Sequence, residues 1–385
     1  MRIRSHLFSP RMGMRPVVGA LVLLVATLLV ACSSSVRRPD PAPLLPDPQK
    51  LTVRQVWSAD VGDVNFPLVV QAAGSVIGFA SDQGTVTLLD SRTGETLWKV
   101  ALDTPLLAGV GHDGRSAAVV STQNDLVVLQ EGKELWRQRL TAPSYTAPLV
   151  AGGRVFVLGA DRSVSAFDGQ SGRRLWTQSR SGDPLVLLQP GVLIPVGDTL
   201  LVGWSGRLIG MNPSNGVSRW EAPVASPRGT NDLERLVDLV AGVARQGNVV
   251  CVRAFQAVVG CVDTGRGALL WSKAANGGSG LTGDDQQIMG VESDGTVRSW
   301  RRSDGESAWT LNQLRYRRLS APVLAGSALV IGDDRGLLHF LSPSNGSLLT
   351  RFETGSSPIA ATPVLSGNTL VVVTRSGRVL GLRPE

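Results

Sequence analysis

Histidine and cysteine are scarce, three of each in 385 residues. His6 falls in the first, arginine-bearing stretch, His112 in the turn-like Gly111-His112-Asp113-Gly114, and His339 alternates with apolar neighbours. None has a spaced His, Cys or carboxylate companion, so the usual metal centres and nucleophile–histidine pairs are excluded and neither a catalytic residue nor a cofactor is expected. Asp284-Asp285 and Asp333-Asp334 read as hairpin turns rather than calcium ligands, because Asp accepts local N–H groups in turns. Long apolar runs are missing as well: Val17 to Val30, about fourteen residues, is too short for a comfortable membrane span. No Lys/Arg block interleaved with aromatics occurs, so the formal charge of +7 implies no nucleic-acid partner.

What the sequence has in abundance is one hairpin. Val86-Thr87-Leu88-Leu89-Asp90-Ser91-Arg92-Thr93-Gly94-Glu95-Thr96-Leu97-Trp98 joins an apolar strand, a turn whose Gly tolerates φ > 0, and a second strand carrying Trp. It returns as Phe167 to Trp176, as Asn212 to Trp220 and as Asp263 to Trp271, with weaker copies ending at Trp136 and Trp309 and one at Thr350 without its Trp. From Trp57 the anchors Trp98, Trp136, Trp176, Trp220, Trp271, Trp309 and Thr350 follow at intervals of 41, 38, 40, 44, 51, 38 and 41 residues. A period near 40 built of short strands and Gly turns is that of a four-stranded propeller blade; helical repeats of similar period lack these β-branched runs. The Trp series therefore reads as blade-packing anchors, one per blade, rather than as a ligand cage.

The ends predict closure. The last copy supplies three strands and stops at Glu385, while Leu51 to Trp57 is a lone fourth strand with no blade before it. Together they make an all-β, eight-bladed propeller of four-stranded antiparallel blades over 51–385, its ring closed by an N-terminal strand that leaves no open edge.

Ahead of the ring, residues 1–31 carry Arg2, Arg4, Arg11 and Arg15 and then the apolar run, the layout of a signal peptide. The run ends Leu29-Val30-Ala31-Cys32, which resembles the lipobox of bacterial lipoproteins; the resemblance implies lipidation of Cys32, and Ser33 after it implies sorting to the outer membrane. Removal of the signal takes four arginines away and leaves about +3. Residues 32–50 contain Pro39, Pro41, Pro43, Pro46 and Pro48 and read as a semi-extended tether.

Cys251 and Cys261 flank Phe255-Gln256-Ala257 on neighbouring strands. If this hairpin keeps the loop of its sisters, Ala254 faces Val258, Cys251 faces Cys261, and a disulfide can form. A two-residue turn would instead put the thiols on opposite faces as buried cysteines.

The Asp-x-x-Ser/Thr-Gly-x-x-x-Trp hairpin resembles the repeat of pyrroloquinoline-quinone-type propellers throughout 51–385. Quinoprotein dehydrogenases share it but are typically longer, and many carry adjacent cysteines that are missing here. Lipobox, tether, length and blade count look like the other family, the propeller lipoproteins of the outer-membrane β-barrel assembly machinery. That resemblance implies a non-catalytic scaffold on the periplasmic face of the outer membrane. Its implied partners are the periplasmic domains of the central, BamA-like barrel subunit, the other lipoproteins of the complex, and unfolded barrel substrates met by β-augmentation. In the family an exposed Leu-x-Leu-Arg-type loop and a nearby acidic segment make the contact. The matching stretches are Leu185-Val186-Leu187-Leu188 and Glu234-Arg235-Leu236-Val237-Asp238, with Leu188 or Gln189 at the Arg position and Val240 at the second acid. A quinone-dependent dehydrogenase and a propeller lipoprotein serving another envelope partner are the alternatives.

Overall fold

The computed structural model describes residues 39–66, 68–180, 185–227 and 236–385. The described residues from Pro41 onward fall into one compact unit, whose strands form eight four-stranded antiparallel sheets. Blades 1 to 7 span 71–101, 111–139, 149–179, 193–223, 239–274, 281–311 and 323–353 in sequence order. Blade 8 takes three strands from 364–384 and its outer strand, Val53–Asp60, from the other end of the chain, as the lone N-terminal strand predicts. In each blade the middle strands are buried on both faces, as Val76–Ala80 and Thr85–Asp90 illustrate, while the outer strand alternates with solvent. One face of the ring carries the turns between second and third strands together with the inter-blade loops. The opposite face carries the Asp-to-Gly turns that lead into the outer strands.

Those Asp-to-Gly turns and the Trp series interlock. The Gly94 N–H donates to the Asp90 carbonyl (2.8 Å) while the Asp90 carboxylate accepts from the Arg92 N–H (2.8 Å), so the turn closes on itself. Trp57, Trp98, Trp136, Trp176, Trp220, Trp271 and Trp309 each lie against the turn glycine of the following blade: Gly94, Gly132, Gly172, Gly216, Gly267, Gly305 and Gly346. A Cβ at Gly94 would stand 2.6 Å from the Trp57 ring, and its φ of +75° suits glycine in any case. The indole N–H groups of Trp57, Trp136, Trp176, Trp271 and Trp309 donate to backbone carbonyls of the same turns at 2.8–3.1 Å. A one-residue bulge immediately before the anchor aims it: Leu88 pairs with Trp98 and Leu89 with Thr96, so Leu97 is left unpaired, and the other blades repeat this register shift. The bulge also explains why Leu97, Leu135 and Leu270 are exposed.

Thr350 occupies the Trp position of blade 7 but has no turn to meet, because blade 8 is made from both ends of the chain and has no third-to-fourth turn. Residues 42–50, which their prolines mark as spacer, dock there instead. Asp47 accepts from the Thr350 hydroxyl (3.3 Å) and the Arg351 N–H (3.1 Å), Arg351 Nη1 donates to the Leu45 carbonyl (2.7 Å), and the Lys50 N–H donates to Leu349 (2.8 Å). At the upper end of this segment Ala42 donates to the Arg315 carbonyl and accepts from Arg317 Nη2 (3.2 Å). Arg317 is itself held by the buried Asp333 carboxylate (3.2 Å), which also meets His339 Nε2 (3.0 Å).

Cys251 faces Cys261 and Ala254 faces Val258, and the two sulfurs are bonded. The double variant Cys251→Ala/Cys261→Ala is expected to lose roughly 2–3 kcal/mol of unfolding free energy, the chain-entropy value for so short a loop. Urea titration of the oxidised protein against the variant checks this, and equal midpoints would contradict it.

Candidate functional site

The two stretches picked out in the sequence meet in space. Leu185–Pro190 leads into blade 4 without being part of any strand, and Asp238 immediately precedes the first strand of blade 5, Leu239–Gln246. Arg162, in the turn between the second and third strands of blade 3, ties them together. Its Nη1 donates to Asp238 Oδ1 (3.3 Å) and to the Ser205 hydroxyl, and its Nη2 to the Leu185 carbonyl (2.8 Å). Asp238 Oδ2 in turn accepts the Leu187 N–H (3.2 Å). Further along, Gln189 Nε2 reaches the Gly278 carbonyl (3.2 Å), and the Ala241 N–H donates to the Pro190 carbonyl (2.8 Å). Blades 3 and 5 and the segment between blades 5 and 6 therefore hold this loop. Arg162 is 8% exposed, so its bonds to Asp238 are charge-assisted and partly shielded from water.

The network displays apolar side chains outward. Leu188 is 66% exposed and Leu185 39%, while Leu187 is half-buried over a small cavity of about 60 Å³ lined by Arg162, Trp204 and Asp238. Asp238, expected as an acid facing a partner, points into the protein and fixes the loop. Leu239 and Val240 are buried strand residues. Cys32, Glu234 and Arg235 lie outside the described residues.

Arg162 escaped the sequence reading, yet a signal was present. It takes φ +59° at the turn corner where the equivalent turns place Gly84, Asn124, Gly295, Gly336 and Gly377. A long side chain kept in the left-handed region points to a role for the side chain itself.

Among the described residues no group of three or more His, Cys, Asp or Glu is placed to hold a metal ion. His112 lies on the short first strand of blade 2 rather than in the turn after it, with Nε2 2.8 Å from the Gln71 carbonyl. Burial pushes its imidazole below the ordinary value, more than the bond to Gln71 raises it.

A family profile described as outer membrane protein assembly factor BamB matches residues 82–311. The BamB of Burkholderia pseudomallei is 36% identical over 96% of this chain and 98% of its own length. The chain belongs to the BamB family. The BamB of Bordetella pertussis is 32% identical over 95% of this chain and 96% of its own. Among solved structures, BamB from Moraxella catarrhalis superposes with a TM-score of 0.77 at 21% identity, covering 86% of this chain and all of that one. A quinohemoprotein alcohol dehydrogenase from Pseudomonas putida also superposes, with a TM-score of 0.66 at 13% identity over 90% of this chain and 78% of that one, which shows a shared ring and nothing about chemistry. Membership of the BamB family makes the chain an outer-membrane assembly factor and not an enzyme.

Proposed function

We propose that the protein is a lipid-anchored scaffold of the outer-membrane β-barrel assembly machinery. In this reading residues 1–31 are a signal peptide, Cys32 carries the lipid, and the ring works on the periplasmic face, binding the periplasmic domains of the central BamA-like subunit beside the other lipoproteins. Unfolded barrel proteins, whose insertion it assists, are its indirect or direct clients. The observation that carries the contact is the exposure of Leu185 and Leu188 on a loop fastened by Arg162 and Asp238. Pre-ordered apolar anchors ringed by polar groups are what a specific protein interface uses, and a rigid loop loses little entropy on docking.

The test is affinity capture of the tagged lipoprotein from detergent-solubilised envelopes. Leu188→Arg combined with Leu185→Arg leaves the Arg162–Asp238 network in place and is expected to abolish recovery of a large barrel protein with periplasmic domains. Asp238→Ala should weaken recovery as well, by freeing the loop. Undiminished recovery with the double arginine variant would move the contact elsewhere on the ring, and failure of the wild type to retain any barrel protein would defeat the reading.

A further inference from the structure

A second site lies at the mouth of the central channel, on the face that carries the inter-blade loops. A cavity of about 470 Å³ opens there, walled by apolar loop residues and by Gly278, Ser279, Gly280, Arg318, Asp334 and Arg375. Arg318 and Arg375 are exposed, and among the described residues neither guanidinium has an ion-pair partner. Arg315 and Arg317, on the same loop as Arg318, are committed to Asp294 (2.9 Å) and Asp333 (3.2 Å). The N–H groups of Gly278, Ser279 and Gly280 likewise donate to no acceptor among the described residues. Gly280 has no room for a side chain, since a Cβ there would stand 2.3 Å from the Ala241 carbonyl, so this loop presents backbone rather than side chains. Successive unbonded N–H groups on a loop that lines a concavity, with two unpaired guanidinium forks on the same wall, are the donor set a tetrahedral oxyanion requires, and a concave wall concentrates their field.

Asp334 narrows the chemistry. It is the only carboxylate lining the cavity among the described residues, and its Oδ1 is buried without a hydrogen-bond partner. An acceptor left in that state is satisfied by a ligand that brings a donor. A fully ionised sulfate has none, whereas a phosphate has its own O–H or the hydroxyl of an alcohol esterified to it. We propose that the channel mouth binds a hydroxyl-bearing phosphate, with Arg318, Arg375 and the 278–280 loop on the phosphoryl oxygens and Asp334 on the hydroxyl. Inorganic phosphate and a glycerophospholipid whose headgroup alcohol keeps a free hydroxyl share that chemistry.

Calorimetric titration of the full-length protein in detergent, at fixed ionic strength, separates the outcomes. Inorganic phosphate, glycerophosphoglycerol and sulfate are the probes. Millimolar or tighter binding of at least one phosphate probe is expected, with sulfate weaker. Arg318→Gln with Arg375→Gln should weaken it by about a hundredfold, taking roughly tenfold for each charged hydrogen-bonding group. Arg335→Gln, outside the cavity wall, should change nothing, and Asp334→Asn should bring sulfate and phosphate closer together. Preference for glycerophosphoglycerol would identify the source as a lipid headgroup, and preference for inorganic phosphate a soluble one; either supports the site. Heat-silent titrations with both phosphates, an unchanged affinity in a folded double-arginine variant, or sulfate bound as well as phosphate would overturn the proposal.

Discussion

Trp57→Ala is expected to destabilise the protein more than the same change at any other anchor. The Trp57 ring lies between Gly381 of its own blade and Gly94 of blade 1, 9% exposed, with its N–H on the Ser91 carbonyl (2.9 Å). Truncating a large buried aromatic costs about 3–5 kcal/mol through lost transfer energy and the cavity left behind. Trp309→Ala loses a similar contact, but on a strand that a turn joins to the rest of its own blade. Trp57 sits on the strand that closes the ring, where blade 8 meets blade 1 through Trp57, through the Ser91–Ser366 hydroxyl bond (2.7 Å) and through packing. Loosening that strand uncovers the Arg378–Pro384 edge, and an uncovered edge pairs with other chains. Urea titration should therefore show a larger fall for Trp57→Ala than for Trp309→Ala, and only the former should form concentration-dependent oligomers. Equal falls without association would show that the closing strand is not the weak point. Trp57→Phe keeps most of the ring and should recover most of the loss, short of about 1 kcal/mol for the missing hydrogen bond.

Asp333→Ala is expected to rank beside it. Removal of this carboxylate leaves Arg317, 5% exposed, without its counter-charge and His339, 0% exposed, without its partner. Breaking a buried ion pair from one side costs about 3–5 kcal/mol, because the remaining charge stays buried. The Arg335 and Leu337 N–H groups that Asp333 Oδ1 accepts in the turn are orphaned too. Arg317 also holds the Ala42 carbonyl, so the segment lying along blade 7 should loosen together with the core. Limited trypsin digestion reads this directly: cleavage after Lys50 should accelerate in Asp333→Ala while the ring persists. A variant with unchanged melting and unchanged cleavage would show the cluster to be dispensable.

The same cluster sets an acid limit. Burial lowers the His339 imidazole from its ordinary 6.5 by more than Asp333 raises it, and His112 is lowered by burial as well. A histidine with a depressed folded-state pKa adds stability that is complete above 6.5 and is lost as the pH falls below that value, since the unfolded chain takes the proton more readily. For Asp333 burial acts to raise the carboxyl, but the hydrogen bonds from His339 and the Leu337 N–H outweigh it and leave it lowered, so its contribution fades only below the ordinary 3.8. Thermal midpoints should thus decline between pH 7 and pH 5, and His339→Gln should flatten the decline. A profile equally steep in His339→Gln would assign the effect to other groups.

The ring is legible because one hairpin is written out again and again. Each copy pairs turn chemistry, at Asp90 and Gly94 for example, with a Trp at a fixed offset, so copy number and spacing convey topology without any knowledge of contacts. The bulge that aims each Trp is not legible: Leu97 and Leu270 look like ordinary strand residues, and only the pairing register reveals that they are skipped. Thr350 shows a missing Trp but not the reason, which is the absence of a turn opposite it. The segment 42–50 reads as spacer because its proline content says so, while the bonds that dock it run through backbone groups and one Asp, which leave no pattern. At the Leu185–Leu188 loop the apolar residues stand out in the sequence, whereas the two bonds that tie Asp238 to Arg162 and Leu187 leave no pattern there. Arg162 acts from a turn of the preceding blade and is noticeable only as a misfit in a turn that favours glycine.

In the proposed lipid-anchored state, docking of residues 42–50 on blade 7 has a mechanical consequence. Traction on the chain ahead of Ala42 meets the Ala42–Arg317 and Asp47–Arg351 attachments before any load reaches Val53–Asp60. These bonds lie along the pulled segment, so they resist in shear as a group. The clamp gives the leash strain relief, and the strand that closes the ring is spared the force that would otherwise peel it away.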